Sequence, residues 1–149
     1  MPGLIASHRQ RFDTDANPKL EFFHSDMSAP NIFQTIRQKS RIWTGEDTAV
    51  VLTRHVLEHE TFEAIFRYFR ELKRSGATYF VGSNASRRQV RNKDLSDLPE
   101  GVNFRFLNFH RYPFFLPAAL LFWVEDVHNE AGGKDNVPYG EIAVWRGGD

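Results

Sequence analysis

An α/β fold is expected, with a mostly parallel sheet flanked by helices, and three stretches carry the expectation. Asp47-Thr48-Ala49-Val50-Val51-Leu52-Thr53 is short, β-branched and nearly continuous in its hydrophobicity. A strand covered on both faces of a parallel sheet reads this way. Thr61 to Ser75 places Phe62, Ile65, Phe66, Phe69 and Leu72 at helical spacing, with Glu63, Arg67, Glu71 and Lys73 on the other side. Ala77-Thr78-Tyr79-Phe80-Val81-Gly82-Ser83 is a second buried-strand run. Together they make a strand–helix–strand unit with Asp47–Thr53 as its central strand.

The elements follow in order. Leu4, Ile5, His8 and Phe12 mark one face of a short helix, which tolerates Pro2 in its first turn and cannot pass Asn17-Pro18. Leu20 to His24 is expected to be a strand, with Ser25-Asp26-Met27-Ser28 at its carboxyl end. Asp26 or Ser28 is of the type that caps a following helix, here near Asn31 to Gln38, with Ile32, Phe33 and Ile36 inward. In the helix Thr61–Ser75, Glu63 and Arg67 form a favourable i,i+4 pair, Lys73 and Arg74 suit the negative end of the dipole, and Gly76 suits the left-handed stop. Asn84 to Glu100 is polar, with Arg87, Arg88, Arg91, Lys93, Asp94 and Asp97, and reads as a long loop, either a functional lid or a solvated connection. Asn103 to Phe109 alternates, as a strand or extended edge does. Pro113-Phe114-Phe115-Leu116-Pro117 forces an irregular aromatic crossing. Leu120–Val124 and Ile142–Trp145, separated by the Gly132–Asn136 turn region, are expected to close the sheet as an antiparallel hairpin.

With 149 residues and 41% hydrophobic content, the chain supports one domain, 1–149, with a real core. Nineteen basic and nineteen acidic residues cancel, so charge gives no indication of a nucleic-acid or anionic-membrane partner. The absence of cysteine removes disulfides, thiolate metal sites and cysteine nucleophiles. No apolar run approaches about 20 residues, and the start lacks the basic-then-apolar order of a secretory signal, so a cytoplasmic location is expected. Most of the 14 phenylalanines fall on strand or helix faces and read as core.

In Asp47–Leu52, in the Val56-Leu57-Glu58-His59 tip and in Leu72-Lys73-Arg74-Ser75-Gly76 leading into the next strand, the chain resembles the class I S-adenosylmethionine-dependent methyltransferases. The tail resembles one subgroup of that family, through Arg105, Leu107, Asn108, Pro113, Phe114, Pro117, Trp145 and Arg146. The resemblance implies a Rossmann-like methyltransferase sheet and S-adenosylmethionine as cofactor. It implies that Asp26 and Met27 hold and cover the adenine, and that Thr53 and Arg54 lie beside the methionine part. The methyl acceptor is not implied.

The family's first strand with its glycine-rich turn has no counterpart here, nor has the second strand ending in the acid that holds the ribose. The expectation is therefore an incomplete sheet, the carboxyl-terminal two-thirds of the domain, lacking roughly 50 residues or more if one strand–helix–strand unit needs ~30. Without the missing strands, Leu20–His24 must pair elsewhere or directly with Asp47–Thr53, whose bare edge would otherwise be prone to aggregation.

Methyl transfer is an in-line displacement that gains most from positioning. An acceptor hydroxyl or ammonium must also lose a proton, and His55 and His59 are the expected catalytic bases. The bland reading makes both of them packing or capping residues. His55-Val56-Leu57-Glu58-His59 also spells the inverted zinc-hydrolase motif, which needs a helix through all five residues and a third ligand downstream. No metal is assigned. The other alternative to a methyltransferase is a non-catalytic interaction module on a degenerate scaffold of that kind.

Overall fold

The computed structural model describes residues 2–12, 19–23, 25–27, 29–43, 48–85, 91–117, 124–126 and 140–146. The elements are α1 (Pro2–Arg11), α2 (Ile32–Lys39), β1 (Val50–Thr53), α3 (Phe62–Ser75), β2 (Tyr79–Asn84), β3 (Val124–Asp126) and β4 (Gly140–Arg146), with 3₁₀ turns at Leu57–His59 and Leu95–Asp97. The strands form one sheet in the order β1-β2-β4-β3. The chain is thus an α/β protein with a small mixed sheet.

The strand–helix–strand unit forms as its residues dictate. Thr61 caps α3 by accepting a hydrogen bond from the Ala64 N–H at 3.2 Å, and Gly76 stops the helix at φ 74°, where a side chain would be strained. Glu63 and Arg67 pair at 2.8 Å. Ile65, Tyr68 and Leu72 are buried on β2, where Phe80 stacks on Trp145 of β4 with ring centroids 5.3 Å apart. Phe109 and Phe114 close the same aromatic core, 5.0 Å from each other. Phe33 brings α2 onto Tyr68 at 5.2 Å, and Ile32 is buried beside it. Glu71, expected on the solvent side of α3, is buried, because α2 brings Asn31, Gln34 and Arg37 to the same cleft. Arg74 holds its carboxylate at 2.9 Å.

Several expectations are corrected. Asp47–Thr53 is not a central strand: the strand within it, β1, pairs in parallel with β2 and, among the described residues, lies at the sheet's edge, while Asp47 lies outside the described residues. Val51 packs toward the core and Thr53 is buried, whereas Val50 and Leu52 are 57% and 64% exposed. The sheet is not mostly parallel, since β2–β4 and β3–β4 are antiparallel.

Leu20–Phe23 is not a strand. Its polar groups are taken up by side chains: Arg9 donates to the Phe22 carbonyl, and the Glu21 carboxylate accepts from Ser40 Oγ and the Arg41 N–H. Phe22 itself docks on His8 and Phe12 of the α1 region, at 5.4 and 5.7 Å.

Asn103–Phe109 keeps its alternation, with Arg105, Leu107 and Phe109 buried, but joins no ladder. Side chains and single backbone bonds hold it instead. Asn84 Oδ1 accepts from the Phe109 N–H, Asn92 Oδ1 accepts from the Asn108 N–H, and the Leu107 carbonyl accepts from the Ala85 N–H. The described part of the polar 84–100 stretch is therefore anchored by a buried Asn92, rather than merely solvated. The antiparallel closure is present as β3 and β4. His24, Ser28, Leu120–Trp123 and the Gly132–Asn136 turn lie outside the described residues.

Candidate functional site

The carboxyl ends of β1 and β2, where ligands collect in α/β sheets, carry the polar tip singled out in the sequence. β1 ends at Thr53, and the chain turns sharply at His55, whose φ of 52° is a left-handed conformation that costs a non-glycine residue about 1 kcal/mol or more. The turn is held from β2: the His55 N–H donates to Ser83 Oγ at 3.0 Å. The 3₁₀ turn that follows buries Leu57 and Glu58 and leaves His59 outward.

The two histidines meet over one ring. The Phe104 centroid lies 6.4 Å from that of His55 and 5.3 Å from that of His59. His59 Nδ1 lies 2.6 Å from the Asn103 carbonyl oxygen, which can only accept. Nδ1 must therefore carry the proton in that contact, and in the neutral ring Nε2 is left as the basic nitrogen. His55 Nδ1 is 3.6 Å from the buried Glu58 carboxylate.

Arg105 supports this tip from beneath. Its Nη1 and backbone N–H both donate to the Glu58 carbonyl, its Nε donates to the Lys93 carbonyl, and its guanidinium lies 5.5 Å from the Phe62 ring centre. Burial lowers its pKa from the ordinary guanidinium value, with Asp94, Glu58 and Glu60 opposing. Phe104, Asn103, Ser83 and this tethering role of Arg105 were not singled out from sequence. The available signal was a lone guanidinium in an alternating apolar run, which implies a buried charge with fixed partners.

Thr53 is buried, and neither its hydroxyl nor that of Tyr68 has a hydrogen-bond partner among the described residues; burial raises the Tyr68 phenol well above its usual value, with Thr53 opposing. Arg54 is exposed at the strand end. Asp26 is exposed in the turn before α2, its carbonyl accepting from the Ala29 N–H, and Met27 packs on the margin of the core. The first residue of α2 is capped by Asn31, not Asp26, and Asn31 makes no side-chain capping bond.

The geometry of the inverted zinc motif is not formed. Leu57–His59 is a single 3₁₀ turn preceded by the left-handed His55, so the imidazoles do not project from successive turns of an α-helix. Among the described residues no group of three or more His, Cys, Asp or Glu converges as a metal site. Nor is any helix among them long and apolar enough to cross a membrane.

Nor do the described residues fit the whole of S-adenosylmethionine. Thr53 is buried, and the described glycines sit in α1 (Gly3), within β2 (Gly82), at the start of β4 (Gly140) and at turns (Gly76, Gly101), with no glycine-rich strand-to-helix turn among them. Comparison with protein-family models, with curated proteins and with solved structures finds no match to this chain.

Proposed function

We propose that this chain is the carboxyl-terminal part of a class I S-adenosylmethionine-dependent methyltransferase domain, whose cofactor cradle is completed by a segment added along β1. One observation carries the reading. β1 is apolar on both faces in sequence, as a central strand is, yet it stands at the sheet's edge with Val50 and Leu52 exposed. A strand laid on that edge, with the helix that follows it, would cover both residues.

The cofactor, once bound, supplies an electrophilic methyl group. The residues of this chain would supply the end of β1 at Thr53 and Arg54 beside the methionine part, and a proton acceptor for the substrate. His59 Nε2 suits that role, because Asn103 fixes the tautomer and Phe104 fixes the ring plane. His55, beside Glu58, is the second base.

Isothermal titration with S-adenosylmethionine tests the reading, using this chain and a chain extended upstream in its own reading frame. The short chain lacks the acid that would accept from the ribose hydroxyls and the glycine-rich backbone cradle, each bond worth roughly 0.5–1.5 kcal/mol net, so its affinity should fall at least about a hundredfold below that of the longer chain. Micromolar binding by the short chain would overturn the placement of the site. Binding by neither would favour the interaction module, with Val50 and Leu52 as its contact face.

A further inference from the structure

At the other end of the sheet lies a cavity that the proposed function does not use. The register sets it apart: Tyr79 at the start of β2 pairs with Arg146 at the end of β4, while Ser83, which holds the His55 turn, is near the far end of β2. The cavity is about 230 Å³, below the ~300–1,000 Å³ of sites for drug-sized ligands and suited to a single ring. Its walls are the rings of Phe69, Phe80 and Trp145 with Leu72 and Leu116.

These walls are rigid. Phe69 meets Phe80 edge-on at 82°, Phe80 stacks on Trp145 at 20°, and the Trp145 indole N–H donates to the Pro117 carbonyl at 3.1 Å, fixing the segment that carries Leu116.

Three cations from two elements converge on this apolar floor: Arg70 and Lys73 from α3, and Arg146 from β4. All three are exposed, and among the described residues none is paired with a carboxylate. The helix dipole accounts for a cation in the last turn of α3, as at Lys73. It does not account for Arg70, a turn earlier, or for Arg146 on a strand that runs to the same rim.

We propose that this cavity binds a small aromatic carboxylate, its ring seated among Phe69, Phe80, Trp145 and Leu116 and its charge held at the rim by Arg70, Lys73 and Arg146. Both halves of the ligand match the site: a ring contacts the apolar walls, and a carboxylate at the rim forms charge-assisted hydrogen bonds with the exposed cations.

Titration of the full chain with 4-phenylbutyrate, by calorimetry and by backbone amide shifts, tests the assignment, with 4-phenylbutyramide as the uncharged control. The acid should bind saturably with a Kd below about 1 mM, shifting residues 70, 73, 116 and 146. The amide should bind at least tenfold more weakly. Arg70→Gln with Lys73→Gln, and separately Arg146→Gln, change only exposed side chains. Each should weaken the acid severalfold without moving the urea midpoint by more than a surface change does. Absence of saturable binding, equal affinity for acid and amide, or unchanged affinity in both variants would overturn the proposal.

Discussion

Gly82→Ala sets strand propensity against packing, and the structure decides the sign. Glycine inside a strand costs roughly 0.5–1 kcal/mol relative to alanine, so propensity alone predicts stabilisation. The Cβ of an alanine at position 82 would lie 2.6 Å from Cζ and 3.0 Å from Cε1 of Phe80. That ring cannot swing clear, because it is 2% exposed, stacks on Trp145 and is abutted by Phe69 and Tyr68. Ala143, the cross-strand neighbour of Gly82, is fully buried and leaves no room on that side. Forcing an extra methyl into such a site costs about 1–3 kcal/mol. The net loss is then about 1 kcal/mol, which lowers Tm by roughly 2–4 °C in a chain of this length. Urea denaturation followed by circular dichroism should show an earlier midpoint. In Gly82→Ala with Phe80→Leu, where the clashing atoms are gone, the combined loss should be smaller than the sum of the single losses by about 0.5–2 kcal/mol. A Gly82→Ala protein at least as stable as the parent, or strictly additive losses, would refute the reasoning.

Arg105→Met should lose about 2–4 kcal/mol, because the Glu58 and Lys93 carbonyls lose their guanidinium donor and the buried Glu58 carboxylate loses a neighbouring charge. Arg105→Lys, lacking the fork, should recover only part of this in the same denaturation assay; full recovery would refute the geometric role. Glu21 is held below its usual pKa, first by the Ser40 hydroxyl and then by the Arg41 backbone N–H. A depressed carboxylate contributes stability above its unfolded value of ~4.3 and loses it as pH falls through the folded value. The stability difference between the parent and Glu21→Gln should therefore be present at pH 7 and vanish on acidification toward pH 3. A difference independent of pH would exclude that linkage.

The elements read best from sequence are those whose determinants are local. Thr61, the helical spacing to Leu72 and Gly76 dictate α3 with both its ends, because a cap, an amphipathic face and a left-handed stop are each decided within a turn. Tyr79–Val81 and Ile142–Trp145 read correctly as strands for the same reason, and the His55–His59 tip was legible as a polar cluster at a strand end. Partners distant in sequence decided the rest. Leu20–Phe23 has the composition of a strand, but Arg9, Ser40 and Arg41 take its polar groups before another strand can. Asn103–Phe109 has strand alternation, yet two asparagines stand where a ladder would be. Asp47–Thr53 carries the apolar pattern of a central strand in its sequence, because that pattern records what a strand can bury. Only the tertiary structure decides what is there to cover it, and here β2 lies on one side while Val50 and Leu52 face outward. The pairing of His55 and His59 over Phe104 was equally beyond the sequence, since 45 residues separate His59 from that ring and nothing local sets their contact.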